Sequence, residues 1–150
     1  PAAEPDDERW AAEIARRSIV RLRGEMAPRG YGRLVIVDDD AGGPHPTPSR
    51  RPLEDELRRC GTLSEQGDAT LVAVFAEPRA WKGRAGLSPE SLSLCAREAS
   101  SGPATFVLFG HPRLLDELSM AENAWCAWGG ERRMQVAAAQ RLAEFPPDWR

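Results

Sequence analysis

The sequence has no apolar run approaching the roughly 20 residues that a membrane-crossing helix needs, and no secretory pattern opens it. It lacks an excess of positive charge: 20 Lys and Arg stand against 23 Asp and Glu, a formal net charge of -3. That balance argues against a basic surface for nucleic acid or anionic lipid, so neither nucleic acid nor a membrane is expected as a partner. Cysteine is scarce and odd in number. Cys60, Cys95 and Cys126 show neither metal-ligand spacing nor a redox pair. Each falls in a helix- or strand-like stretch, where a thiol serves as a small core residue. Unpaired thiols favour a reducing compartment, and so the cytoplasm, with export left open. The chain also has no G-x-S-x-G elbow, no Walker loop and no G-x-G-x-x-G turn. No cofactor is expected from its motifs.

What is present is a globular composition, with 41% hydrophobic and 29% charged residues over 150 positions. That length favours one domain, 1–150, with room for a core. The first residue is Pro1 and not Met, which suggests a piece of a longer polypeptide. Thr105–Gly110, inside ATFVLFGHP, is a short apolar run entered from Gly102-Pro103 and closed by Gly110-His111-Pro112. Such a run reads as a strand buried on both faces. Leu71–Phe75, Gly32–Val37 and Ala124–Trp128 read as strands as well, with helical patterns between them. The alternation predicts an α/β fold: a three-layer sandwich with a mostly parallel sheet of four to six strands and helices on both faces.

In chain order, Pro1–Pro5 reads as a linker end, and Asp6-Asp7 open a helix through Ser18. Trp10, Ile14 and Arg17/Ser18 recur at helical spacing, which predicts that this face docks. Ile19–Leu22 continues that helix or straightens into a strand, and Gly24 and Pro28 end it. A Gly/Pro-rich loop, Ala41–Pro52, leads to a short helix with Leu53, Leu57 and Cys60 on one face and Gly61 as its stop. Thr62–Asp68 is too polar for a buried strand but long enough for a short edge one. Ser88-Pro89 starts a helix as N-cap and first residue, PRLLDEL after His111 forms a turn or two, and ERRMQVAAAQRLAE forms the last helix. Phe145–Arg150, with two prolines, cannot extend it.

In an open parallel sheet, sites form beyond the carboxyl ends of the strands. Those positions hold Asp38, Asp39 and Asp40, then Glu77, Arg79, Trp81, Lys82 and Arg84, then His111, then Gly129-Gly130. Three adjacent carboxylates are weak candidates for holding Mg²⁺, as the acidic pair of phosphoacceptor receiver domains does. A receiver also needs a Lys after its last strand, and WCAWGGERR has none. The triplet is therefore read as a solvated acidic turn, with no metal expected. Glu77 is expected to pair locally with Arg79 or Lys82, and His45 and His111 to be turn histidines. Gly129-Gly130 before a helix either seats an anion or makes a tight turn. Trp81, beside Arg79, Lys82 and Arg84, suits stacking on a sugar, sealing against a neighbouring domain, or folding back on its own sheet.

The order of motifs resembles a known family. WAAEIARRSIVRLRGE followed by GRLVIVDDD resembles the entry to the carboxyl-terminal α/β-sandwich domain of glycoside hydrolase family 3, where a helix of the A-R-E-A-A-R-x-S-I-V-L-L type leads into strand, loop and helix. ATLVAVFAEPRAWKGRAGLSPE, ATFVLFGHPRLLDEL and AENAWCAWGGERRMQVAAAQRLAE look like its remaining elements, most of all in the β-N-acetylglucosaminidase branch. The resemblance implies an accessory domain packing on an amino-terminal catalytic barrel of the same polypeptide, with carbohydrate nearby. It implies that the nucleophile and the acid/base lie on that barrel, so no catalytic residue is carried over. Glu77, Arg79, Trp81, Lys82, Arg84 and His111 are then substrate-proximal loop candidates. Two departures stand out. Thr62–Asp68 is short and polar, as if one strand were missing, and Arg21 and Arg23 replace the usual apolar and Lys pattern. The alternative is a free-standing flavodoxin-like binding or signalling module using Asp38–Asp40.

Overall fold

The computed structural model describes residues 5–25 and 28–144; of the linker end expected at 1–5, residues 1–4 lie outside them, as does the tail 145–150, and Pro5 already belongs to a helix. Helix α1 (Pro5–Ser18) leads into β1 (Val20–Arg23), then β2 (Tyr31–Asp38), α2 (Arg51–Arg59), β3 (Ala69–Ala76), α3 (Pro89–Ser100), β4 (Ala104–Gly110), β5 (Ala124–Cys126) and α4 (Arg132–Ala143). Two short 3₁₀ turns, Ala80–Lys82 and Pro112–Asp116, follow β3 and β4. The five strands form one sheet in the order β1-β5-β4-β3-β2. All neighbours are parallel except β1, which runs against β5. Ile19–Leu22 thus resolves as a strand, one that closes the sheet edge.

Alternation along the central strands builds two cores. Leu71, Ala73 and Phe75 face α2, α4 and the end of α1, while Val72, Val74 and Ala76 face α3 and the second 3₁₀ turn. Phe75 and Phe109 sit in register on β3 and β4, and their rings stack with centroids 4.3 Å apart. Each such side chain contributes about 1.5–3 kcal/mol by leaving water. Gln135, fully buried on α4, accepts from Leu53 N at 3.2 Å and donates to Ser49 O at 2.8 Å and Gly130 O at 2.7 Å. It ties α4 to the start of α2 while satisfying groups that burial would otherwise leave unpaired. Ser88 caps α3 by accepting from Ser91 N, as its position before Pro89 predicts.

Three elements differ from expectation. Trp10 and Ile14 point to solvent, and α1 docks instead through Ala15 and the following Ile19. Small residues let α1 approach closely where the bulky pair could not. β5 stops at Cys126 and not Trp128, because Trp128 takes a left-handed backbone (φ 62°) and Gly129 N bonds Ala127 O at 2.7 Å in a tight turn. Thr62–Asp68 yields a single parallel bridge, Leu63 to Tyr31, held by Tyr31 N to Thr62 O at 2.7 Å and Ser64 N to Tyr31 O at 3.0 Å.

That bridge explains the topology. From β2 the chain runs through α2 to the outer side of β2, touches it once at Leu63, and returns past it to β3. It then winds the other way through α3 to β4. The return passes so close to β2 that a Cβ on Gly67 would lie 2.1 Å from Tyr31 C. Gly67→Ala should therefore cost about 2–3 kcal/mol as backbone is pushed aside, whereas exposed Gln66→Ala should stay within about 0.5 kcal/mol. Urea denaturation of the two variants checks this.

Candidate functional site

Reversal of winding between β2 and β3 leaves a crevice beyond their carboxyl ends, the usual ligand site of open α/β sheets. Here the chain fills it with its own charges. β2 ends at Asp38, but Asp39 N still bonds Phe75 O at 2.9 Å, which carries the triplet from the sheet end toward the 3₁₀ turn Ala80–Lys82 and the start of α3. Asp39 and Asp40 are buried, which corrects the expected solvated turn.

Each carboxylate has cationic partners. Asp38 takes a two-pronged contact from Arg50, Nε to Oδ2 at 2.8 Å and Nη2 to Oδ1 at 3.0 Å. Arg50 also lies 3.9 Å above the Phe75 ring, which suits a guanidinium leaving water. Asp39 accepts from Ser88 N at 3.1 Å, Ser91 Oγ at 2.8 Å and Arg84 Nη2 at 2.9 Å. Asp40 accepts from Glu77 N at 3.0 Å and Lys82 Nζ at 2.6 Å. Lys82, whose side chain is 2% exposed, completes its donors on Glu77 O at 3.0 Å and Asp39 Oδ2 at 3.4 Å. Glu77 accepts from Arg79 Nη2 at 2.8 Å and from Gly130 N at 3.0 Å. The glycine pair before α4 thus seats an anion, the protein's own Glu77. Four acids face four bases: Asp38, Asp39, Asp40 and Glu77 against Arg50, Arg79, Lys82 and Arg84.

This arrangement holds charges in place. Burial pushes the Asp39 carboxyl up, but hydrogen bonds from Ser88 and Ser91 and the Lys82 charge bring it below the ordinary carboxylate value. Among the described residues no group of three or more His, Cys, Asp or Glu is placed to hold a metal ion. The carboxylates proposed for Mg²⁺ are already engaged by Arg50, Lys82 and Arg84.

Of the sequence candidates, Glu77, Arg79, Lys82 and Arg84 come together with Asp38–Asp40. His111 stands apart. Its Nδ1 accepts from Arg113 N at 3.2 Å, and it lines a cleft of about 400 Å³ with Arg113, Leu114 and Glu117. Trp81 folds back so closely on Gly43 that a Cβ there would lie 2.5 Å from the indole, and its outer face remains open to solvent. Sequence reasoning missed Arg50, hidden in the Gly/Pro-rich loop, and the hydroxyl of Ser91. Lys82 carried a signal that went unused: it is the only lysine in the chain.

Comparison with known proteins adds the fold's relatives. No family model and no curated protein matches the sequence. Solved structures do. A glycoside hydrolase family 3 β-N-acetylglucosaminidase from Paenibacillus sp. str. FPU-7 is similar over 96% of this chain and 31% of its own, at 16% identity and a TM-score of 0.70. The β-glucoside phosphorylase BglX matches over 95% of this chain and 30% of its own, at 15% identity and a TM-score of 0.70. A β-glucosidase from Listeria innocua matches over 93% and 26%, at 13% identity and a TM-score of 0.66. The chain thus spans under a third of the length of each.

Two outcomes test this architecture. Lys82→Met, which takes the buried ammonium from between two buried carboxylates, should cost about 3–5 kcal/mol in urea denaturation, whereas Arg84→Met, at the rim, should cost about 1 kcal/mol or less. The lowered Asp39 value means that its stabilisation is complete above the unfolded Asp value of about 4 and is lost as pH falls through the folded value. Asp39→Asn should therefore lower the urea midpoint at pH 7, and the gap to wild type should shrink at pH 3.

The chain has the α/β fold that the family 3 glycoside hydrolase structure, the β-glucoside phosphorylase and the β-glucosidase each contain over a fraction of their length.

Proposed function

We propose that this chain is the accessory carboxyl-terminal domain of a family 3 glycoside hydrolase of the β-N-acetylhexosaminidase type, seated on a catalytic barrel of the same polypeptide. One observation carries the reading: the crevice where an open α/β sheet would bind its ligand is closed by balanced ion pairs. A glycosidase of this chemistry needs two carboxylates with distinct protonation roles flanking the scissile bond. Asp38, Asp39, Asp40 and Glu77 are each committed to Arg or Lys. The reacting acids then come from the barrel, and this domain supports or covers the sugar site. Coverage of about 30% of the matching glycosidase chains supports the same division of labour.

Among the loop candidates, Trp81, Arg84 and His111 keep exposed surface and are the ones able to face a neighbouring carbohydrate. Glu77 and Lys82 are structural members of the cluster. The free-standing signalling module would need Asp38–Asp40 open to Mg²⁺, and their engagement by Arg50 and Lys82 disfavours it.

The test is hydrolysis of an aryl N-acetylglucosaminide by the purified 150-residue chain. Release at the buffer rate is expected, and turnover matching that of a two-domain glycosidase would refute the reading. Acetyl phosphate with Mg²⁺ should leave the chain unlabelled.

A further inference from the structure

The most conspicuous surface on this molecule lies away from the charge cluster. Trp10 and Ile14 are one turn apart on α1, and Ser18 continues the same side of the helix. The Trp128 indole is fixed there, its Nε1 donating to Ser18 O at 2.9 Å. Trp10, Ile14 and Trp128 are 61%, 66% and 50% exposed, and the four-residue spacing together with the bond to Ser18 sets them along one side of α1 as an apolar stripe. Burial cannot be what selects these residue types.

Trp128 gives a second, independent observation. It is the one non-glycine residue with positive φ among the described residues, at 62°. A bulky side chain there costs backbone strain. That strain places an aromatic ring half in water, a cost with no return in the core of this domain.

The size of the stripe decides what covers it. Three side chains at these exposures present roughly 350–450 Å² of apolar surface. A stable dimer of separate chains needs about 800 Å² per partner. Interfaces between domains of one chain need less, about 300–750 Å² per side, because the tether supplies a high effective concentration. The stripe also begins where such a tether would attach. α1 starts at Pro5, and Trp10 is five residues, about 7.5 Å of helix, further on.

We propose that the Trp10–Ile14–Trp128 stripe is the face by which this domain seats on the domain joined to it ahead of α1. The proposal rests on the accessory-domain reading and adds to it the docking surface and its chemistry: an apolar patch on the neighbouring domain that receives two tryptophans and an isoleucine. α1 then serves both domains, with Ala15 facing inward and Trp10 and Ile14 facing outward.

The experiment compares Trp10→Ser/Ile14→Ser in the 150-residue chain and in the complete polypeptide, with Trp81→Ser as a control. In the 150-residue chain the double variant should leave the urea midpoint nearly unchanged, since both side chains are in water. In the complete polypeptide it should lower the melting temperature of this domain by roughly 5 °C or more and raise acrylamide quenching of the remaining tryptophans. Trp81→Ser should act alike in the 150-residue chain and in the complete polypeptide. Unchanged melting and quenching in the complete polypeptide would overturn the docking face, even where glycosidase activity upholds the accessory-domain reading. A concentration-dependent dimer of the 150-residue chain, abolished by the double variant, would overturn it in favour of self-association. A complete polypeptide without glycosidase activity would sink the accessory-domain reading, while the melting comparison would still decide the stripe.

Discussion

A lysine ammonium held between two buried aspartates is the constraint on which the carboxyl end of this sheet depends. Lys82 Nζ lies 2.6 Å from Asp40 and 3.4 Å from Asp39, and removing any of the three unbalances buried charge that burial makes costly. A cluster of this kind is seldom favoured over a hydrophobic plug on stability alone. What it provides is definition. Asp40 fixes Glu77 N, Asp39 fixes Ser88 and Ser91 at the start of α3, Asp38 fixes Arg50 ahead of α2, and Glu77 fixes Gly130 ahead of α4. One set of charges thereby sets the entry to three helices.

The same commitment accounts for the lack of free reactive groups there. A general acid needs a carboxyl that can keep its proton near neutral pH, and Asp39 is driven the opposite way. The polar end of this domain therefore reads as scaffold, and its interest shifts to the surfaces around it.

How much of this the sequence discloses follows from the range of each interaction. The buried strands at Leu71–Phe75 and Thr105–Phe109 and the Ser88 cap were legible because apolar runs and caps are local signals. Trp10 and Ile14 misled, because helical periodicity reports an apolar stripe without saying what it meets. The acidic triplet misled too. Three adjacent aspartates look solvated until Arg50, Lys82 and Arg84 are brought to them across 10 to 46 positions of chain, which no local pattern encodes. The polarity of Thr62–Asp68 ruled out a buried strand, and the segment meets the sheet edge through one bridge.

That bridge has a further implication for how such a domain can change. Leu63 meets β2 at Tyr31, its amino end, while the aspartates sit at the other end, some seven residues or about 23 Å along the strand. Trimming an outer strand to a stub therefore leaves the far end of β2, with its ion pairs, intact. The outer margin of the sheet can thus vary in length without disturbing the helix entries that the aspartates set.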